Sequence, residues 1–140
     1  DILKQLSDFS FNGGYMKKVI STEKAPKAVG PYSQAIETDN LIFVSGQLPI
    51  NPRTGEMAKT VEEQTKQAIE NISSILESVG LSLDNVVKTT VFMTDLTKFN
   101  NMNEVYAQYF KTNPPARAAF EVKALPKNAD VEIEAVATKK

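Results

Sequence analysis

Apolar residues recur along this chain with two different periods, one typical of helices and one typical of strands. The clearest helical stretch follows residues 60–63, a capping box with Thr60 as the N-cap and Glu63 at the third helical position. Gly80 then supplies a left-handed stop. Because one face is apolar, we expect this helix to pack on a sheet. The apolar residues at helical spacing are Val61, Ala68, Ile69, Ile72, Ile75, Leu76 and Val79.

Residues 98–110 predict a second helix with an aromatic face. Tyr106 and Tyr109 on this face are interpreted most simply as core. Asn103 lies on the same face, where an unpaired buried amide would cost about 1–3 kcal/mol. The Asn103 amide therefore either makes a structural hydrogen bond to a neighbouring loop or holds a ligand or a water. The apolar residues of this face are Phe99, Met102, Tyr106, Tyr109 and Phe110.

Stretches of alternating or β-branched residues predict strands before, between and after the two helices. Asp39 and Asn40 form a hairpin-type turn between two of these strands. Residues 48–59 contain Pro49, Pro52 and Gly55 and are predicted to form a loop. The predicted strands cover residues 17–20, 35–38, 41–45, 86–94, 118–122 and 131–137.

The order of these elements predicts an α+β domain of two layers, with both helices on one face of the sheet. The opposite face carries Val, Phe and Ala in several strands. A sheet that is apolar on both faces needs a second partner, and we expect another copy of this chain to provide it. The sequence therefore predicts a closed homo-oligomer.

Residues 1–15 do not match the pattern that follows them. They end in a turn-like stretch, and Met16 opens a strand-like segment. We interpret residues 1–15 as a tag or a disordered extension and residues 16–140 as a single domain.

Composition excludes several classes of function. The 140-residue chain has a formal net charge of −1, which argues against a broad binding surface for nucleic acid or anionic membrane. It contains no Cys and no His, so thiol nucleophiles, disulfides, Ser-His-Asp catalysis and imidazole-ligated zinc are impossible. Proton chemistry must come from Asp, Glu, Lys, Tyr or water, and no metal site is predicted.

No apolar run approaches the ~20 residues of a membrane span and no secretory leader is visible, which predicts a soluble cytoplasmic protein.

A single arginine follows a double proline and begins an apolar stretch. Pro114 and Pro115 stiffen the approach to Arg117, and Ala118 and Ala119 leave space around it. A stiffly held guanidinium beside small residues suits a planar anion such as a carboxylate. An ordinary surface salt bridge is the alternative at this point.

Three further positions could carry chemistry. Glu132 alternates with Val131 and Ile133, so it is either a solvated strand residue or a carboxylate in an oligomer interface with a raised pKa. Tyr32 follows a turn-forming Gly-Pro pair. Ser45 offers a hydroxyl beside Gly46, which permits close backbone approach. Each of the last two stretches is either turn chemistry or part of a site.

Taken together, these segments resemble the RidA (reactive intermediate deaminase A) family, also called YjgF. The resemblance covers residues 16–140 and rests on five segments in the family's order. They are GPYSQA at 30–35, VSGQ at 44–47, NEVY at 103–106, PARA at 115–118 and VEIEA at 131–135.

The resemblance implies a chorismate-mutase-like α+β fold with a mixed sheet, assembled as a homotrimer with ligand clefts between subunits. It implies hydrolysis of 2-iminobutanoate and 2-iminopropanoate, the reactive products of pyridoxal-phosphate-dependent dehydratases, to 2-keto acids and ammonia. No cofactor, nucleic acid or membrane is implied. The catalytic residues would be Arg117, which grips the substrate carboxylate, and Glu132, which positions or deprotonates the attacking water. The substrate-binding residues would be Tyr32, Ser45, Gly46, Asn103 and Ala119, the last of which stands where many bacterial members have Cys.

Other functions would use the same fold. A non-catalytic protein that senses 2-keto acids or regulates a partner would use the same arginine cleft, although Glu132 favours catalysis. A ribonuclease or translation inhibitor is a further alternative, but this sequence provides neither a basic groove nor a histidine pair for such a function. A chaperone-like holdase has no exposed feature to support it.

Overall fold

Within residues 10–12 and 15–140, which the computed structural model describes, seven strands form one sheet and two α-helices accompany it. The helices are α1 (Val61–Glu77) and α2 (Phe99–Tyr109), and short 3₁₀ turns span Leu83–Asn85, Leu96–Lys98 and Pro126–Asn128. The strands are β1 (Ser10–Asn12), β2 (Tyr15–Ile20), β3 (Ala35–Glu37), β4 (Leu41–Gln47), β5 (Val86–Met93), β6 (Ala116–Glu121) and β7 (Val131–Thr138).

The strand order across the sheet is β1-β2-β3-β4-β7-β5-β6. The pair β5–β6 is parallel and the other neighbouring strands run antiparallel, so the sheet is mixed. The parallel pair is possible because α2 forms the crossover between β5 and β6. The α+β prediction with a mixed sheet is confirmed.

Helix α1 begins as its sequence predicts. The Thr60 hydroxyl accepts the amide of Glu63 at 3.1 Å. The Glu63 carboxylate accepts the amide of Lys59 at 3.4 Å, so the reciprocal bond falls one residue before the cap. The helix ends at Glu77, and Gly80 follows with φ +78, the left-handed conformation that favours glycine.

The core lies between the two helices and one face of the sheet. Ile69, Ile72 and Leu76 of α1 are fully buried and pack with strand residues such as Val131 and Ile133. Burial of these side chains is the main stabilising contribution of the helix layer, at about 1.5–3 kcal/mol each.

The loop at 48–59 is held against α1 by a buried amide. Asn71 Nδ2 donates to the carbonyls of Leu48 and Ile50 at 3.1 and 3.0 Å. A second amide, Gln64, accepts the backbone amides of Asp130 and Val131 at 2.8 and 3.1 Å. These bonds position the loop and the beginning of β7, both of which reach the candidate site.

The predicted hairpin at Asp39 and Asn40 is confirmed, since the Thr38 amide donates to the Leu41 carbonyl at 2.9 Å. Several strand bounds differ from prediction by one or two residues, and two of these differences bear on the site. Strand β4 runs on to Gln47 through a register shift after Val44. Strand β6 begins at residue 116 and not at 118, because pairing with β5 starts directly after the double proline.

The described part of the leading segment contributes to the sheet. Strand β1 pairs with β2 in antiparallel register, with Ser10 opposite Lys17 and Asn12 opposite Tyr15. Residues 10–12 and 15 therefore take part in strand pairing. Residues 1–9, 13 and 14 lie outside the described residues, and the interpretation of 1–15 as a tag stays a prediction.

The sheet face opposite the helices, which we call the open face, carries large apolar side chains in the part of the chain that the structure describes. Val19, Phe43 and Phe120 lie there with exposed fractions of 56%, 46% and 53%. Glu132 and Glu134 share this face, as the alternation along β7 predicts. None of the helices described is both long and apolar enough to cross a membrane.

Candidate active site

The structure places six of the seven predicted site residues in two groups. Four of them line one cavity of about 510 Å³, which we call the acid pocket. Arg117 and Asn103 touch each other elsewhere, and with the ring residues Phe99 and Tyr106 they form what we call the arginine cluster. The four residues of the acid pocket are Tyr32, Ser45, Gly46 and Glu132.

The floor of the acid pocket is a close contact between β4 and β7. Gly46 lies in the register shift of β4 and faces the side chain of Glu132. A Cβ added at Gly46 would stand 2.9 Å from Glu132 Cδ and 3.0 Å from Glu132 Oε1. The absence of a side chain at Gly46 therefore makes room for the carboxyl group, as the sequence suggested for close backbone approach.

The Glu132 carboxyl is half-buried. Burial raises its pKa above the ordinary value, and the neighbouring Glu134 carboxylate raises that pKa further. Both effects disfavour the charged form. A carboxyl of this kind gains and loses a proton closer to neutral pH than an exposed glutamate, which is the property that a general base requires.

Two hydroxyl groups reach the acid pocket. Ser45 Oγ donates to the Ser33 carbonyl at 2.6 Å, which fixes its orientation. Tyr32 is 51% exposed, and its hydroxyl oxygen accepts the amide of Val29 at 3.5 Å, so its ring lies over its own turn. The remaining wall is largely apolar and suits a small molecule with an apolar portion. It includes Pro26, Val29, Leu48, Ile50 and Pro126.

One residue of the acid pocket was missed as a functional candidate. Gln34 is buried, and its Oε1 accepts the Thr22 amide at 2.7 Å while its Nε2 donates to the Pro26 carbonyl at 2.8 Å. It therefore holds the segment that forms one wall of the cavity. Gln34 lies within the GPYSQA motif, but no local pattern indicates which backbone groups a buried amide will bind.

The arginine cluster lies on the helix side of β6. Arg117 Nη1 donates to Asn103 Oδ1 at 2.7 Å. The guanidinium carbon stands 5.3 Å from the ring centroid of Phe99 and 4.7 Å from that of Tyr106. Asn103 therefore contacts the arginine, and its predicted contact with substrate stays a prediction.

Arg117 has donors to spare. Its side chain is exposed, and among residues 17–140 no carboxylate forms an ion pair with it. A guanidinium has five N–H donors, and Asn103 uses one of them. The described residues thus do not provide the surface salt bridge that was the alternative, and the arginine can take an anion from outside its own protomer.

Ala119 is two residues beyond Arg117 on the same face of β6. It is opposite Val91 in the pairing with β5 and is partly buried against the core. Its methyl group packs inward, so any contact with substrate would come from its backbone.

One protomer does not bring Arg117 and Glu132 together. Arg117 is opposite Thr89, Thr89 is opposite Ala135, and Glu132 lies three residues before Ala135 in β7. With strands about 4.8 Å apart and about 3.3 Å per residue, the two backbone positions are separated by about 14 Å. Because Glu132 and Ala135 are an odd number of positions apart along β7, their side chains lie on opposite faces of the sheet, and so do those of Glu132 and Arg117.

Comparison with known proteins identifies the family. Residues 22–139 match the family described as endoribonuclease L-PSP. The chain is 58% identical over 124 residues to a RutC family protein of Pyrococcus abyssi, covering 88% of this chain and 98% of that protein. It is 52% identical over 123 residues to the human 2-iminobutanoate/2-iminopropanoate deaminase, covering 87% and 90% respectively.

Solved structures agree with this result. The crystal structure of Escherichia coli TdcF with bound serine superposes with a TM-score of 0.85 at 41% identity, covering 88% of this chain and 99% of TdcF. The match spans almost the whole described fold, and its identity is high enough to indicate common ancestry. The chain therefore belongs to the endoribonuclease L-PSP family, also known as the YjgF/RidA family.

Proposed function

We propose that this protein hydrolyses 2-imino acids, with 2-iminobutanoate and 2-iminopropanoate as substrates, to 2-keto acids and ammonia. The observation that carries the proposal is that one chain presents both an arginine without a carboxylate partner among the described residues and a half-buried glutamate of raised pKa, each in a motif of one family. The name of the human relative supports the reaction, and serine in the crystal structure of TdcF supports a small substrate with a carboxylate.

The complete site, in this proposal, forms between two protomers of a homotrimer. The arginine cluster of one protomer meets the acid pocket of the next. The separation of Arg117 from Glu132 within one protomer supports this arrangement. So does the open face, since exposed apolar side chains such as Phe43 and Phe120 favour burial against another copy.

The chemistry needs positioning more than a strong nucleophile. Arg117 binds the substrate carboxylate through two parallel N–H bonds, which sets the imine carbon near Glu132. Water attacks that carbon and gives one proton to the Glu132 carboxylate, and the carboxyl passes this proton to the nitrogen, which yields a carbinolamine. Glu132 then takes the proton of the new hydroxyl group and delivers it to the nitrogen, so that the C–N bond breaks as the C=O bond forms, and ammonia leaves with the 2-keto acid remaining. Because an imine carbon is already electrophilic, this route requires no metal or organic cofactor.

A coupled assay tests the reaction. A threonine dehydratase generates the imino acid in situ, and the rate of 2-keto acid formation is followed with wild type, Arg117→Ala and Arg117→Lys. We expect acceleration by wild type only, with at least about a tenfold loss in Arg117→Lys, because an ammonium cannot reproduce the planar fork. If all three proteins accelerate the reaction equally, the role of Arg117 is wrong. If none does but 2-oxobutanoate binds, the alternative of a 2-keto acid sensor is favoured.

A mixing experiment tests the site between protomers. Arg117→Ala and Glu132→Gln are each expected to be inactive, and they are co-expressed so that mixed trimers form. If each site takes Arg117 and Glu132 from different protomers, about a quarter of the sites will be intact. Recovered activity near that fraction supports the arrangement, whereas no recovery in verified mixed trimers contradicts it.

The description of the family also names an endoribonuclease. That function is the second candidate, and it predicts RNA affinity that falls steeply with salt. Titration of labelled single-stranded RNA at 50 and 200 mM salt distinguishes it from imine hydrolysis. The net charge of −1 gives no support for such binding.

A further inference from the structure

The arginine cluster contains two aromatic residues that the proposed mechanism has not used. We infer that Phe99 and Tyr106 are positioning residues, which hold the Arg117 guanidinium in the orientation that receives the substrate carboxylate. This inference rests on the proposed function and concerns the same site.

The geometry places the guanidinium against two ring faces of α2. Its central carbon is 5.3 Å from the Phe99 centroid and 4.7 Å from the Tyr106 centroid. Both distances lie within the range of about 6 Å at which a ring attracts a cation. Asn103 binds one edge at 2.7 Å, so the guanidinium is held by its face and by one of its edges.

Tyr106 is itself firmly held. Its ring is buried, and it packs on Phe110 with centroids 4.6 Å apart. Its hydroxyl shares a hydrogen bond of 2.7 Å with the buried Thr89, the residue opposite Arg117 in the parallel pair. Burial raises the pKa of Tyr106, so its hydroxyl stays neutral at physiological pH and keeps this bond. The ring is thus a fixed platform that is built from the same sheet as the arginine.

A fixed platform matters because arginine is long and flexible. A free Arg side chain loses much of its rotamer freedom when it binds a ligand. The two rings and Asn103 restrict the Arg117 side chain before substrate binds. The N–H donors that Asn103 does not use remain exposed at the edge of the planar guanidinium. Weakening the platform should therefore weaken carboxylate binding without removing the charge.

The test is calorimetric titration of the assembled protein with 2-oxobutanoate, the expected product. We expect Phe99→Leu, which keeps apolar volume but removes the ring, to bind about three- to tenfold more weakly. Phe99→Tyr retains a ring and should bind within about twofold of wild type. Tyr109→Leu is the matched control, because Tyr109 is a partly buried aromatic of the same helix that makes no hydrogen bond or ring contact with Arg117, and this variant should bind 2-oxobutanoate as wild type does.

A double-mutant cycle separates positioning from a general loss of structure. If Phe99 acts through Arg117, Phe99→Leu should have no further effect on affinity in an Arg117→Ala background. An equal loss in both backgrounds, or an unchanged affinity in Phe99→Leu, would overturn the inference. If Arg117→Ala itself binds 2-oxobutanoate like wild type, the proposed function fails first, so the two failures are distinguishable.

Discussion

At the scale of single residues, the candidate site depends on a space shared by Gly46 and Glu132. The carboxyl group occupies the volume that any other residue at 46 would need for its Cβ. The atoms nearest that volume belong to the flexible end of Glu132, which can move away at little cost in stability. Position 46 therefore controls where the carboxyl group lies more than it controls whether the chain folds.

Gly46→Ala tests this statement. We expect the free energy of unfolding to change by less than about 1 kcal/mol, because the Glu132 side chain can shift, while kcat falls about tenfold because the carboxyl no longer meets the attacking water. Denaturant unfolding and the coupled assay measure the two effects. An unchanged kcat would show that the position of the carboxyl group is not critical.

Glu132→Gln should change how the free energy of unfolding depends on pH. Since the folded-state pKa of Glu132 is raised, its stabilising contribution is complete below the unfolded pKa and is lost as pH rises through the folded pKa. At pH 8 the wild type therefore carries an unfavourable ionised carboxylate that the Gln variant lacks. We expect urea unfolding to show Glu132→Gln as the more stable protein at pH 8, with the difference vanishing near pH 4. A less stable variant at pH 8 would contradict the assigned environment.

The pH dependence of activity follows from the same group. A general base must be ionised, so kcat/KM should decline on the acid side at a pKa above the ordinary value of 4.5. Glu134→Gln removes the charge that adds to this shift and should move the acid limb to lower pH. A pH–rate profile of both proteins is the measurement, and identical limbs would exclude coupling between the two carboxyls.

At this scale the sequence predicts residue types better than it predicts contacts. Arg117 and Glu132 were identified from proline placement, alternation and the family motifs. From sequence alone, Tyr106 is interpreted most simply as core, because whether an aromatic of α2 also faces a cation depends on how that helix packs against β6. The bonds of Gln34 were invisible for the same reason, since they join residues that are distant in sequence.

At the scale of elements, helix α1 illustrates a feature that local sequence determines. The side chain of Thr60 satisfies the backbone amide of Glu63, and the helix layer follows from that point. Thr60→Ala should cost about 1 kcal/mol of unfolding free energy, whereas Thr60→Ser should cost much less. Thermal denaturation with the coupled assay checks this prediction, and kcat should be unchanged because the cap is outside both the acid pocket and the arginine cluster.

The strand bounds were harder to predict, because partner strands determine them. The predicted strand at 118–122 begins at 116 because the backbone of Arg117 pairs with Thr89. Strand β4 continues through Gly46 because Gln47 recovers its pairing with Ile133 after the register shift. Neither pairing has a local signal, whereas helix caps and turn residues do.

At the scale of the whole molecule, the proposed site between protomers requires the open face to bring the acid pocket and the arginine cluster together. Phe120 is 53% exposed in the protomer and its ring stacks near Phe92, with centroids 6.4 Å apart. The sequence predicts that both faces of the sheet carry apolar side chains. It does not predict how two copies would pack on the open face, because that depends on the shape of a surface formed by many residues.

Phe120→Glu tests the assembly. A charge on this face should oppose its burial, so we expect light scattering to give the mass of a single protomer. We expect kcat/KM to fall about 100-fold. Phe120→Leu, which keeps the position apolar, should retain both assembly and activity. Full activity from a proven monomer of Phe120→Glu would place the whole site in one chain.

The location of Arg117 and Glu132 on opposite faces of one protomer also has a consequence for how activity depends on concentration. If neither half works alone, turnover per chain is not constant on dilution: it declines once the concentration falls below the dissociation constant of the assembly. A newly synthesised or highly dilute protomer is then inactive until it assembles. The total rate of imine hydrolysis therefore rises more steeply than the concentration of the protein.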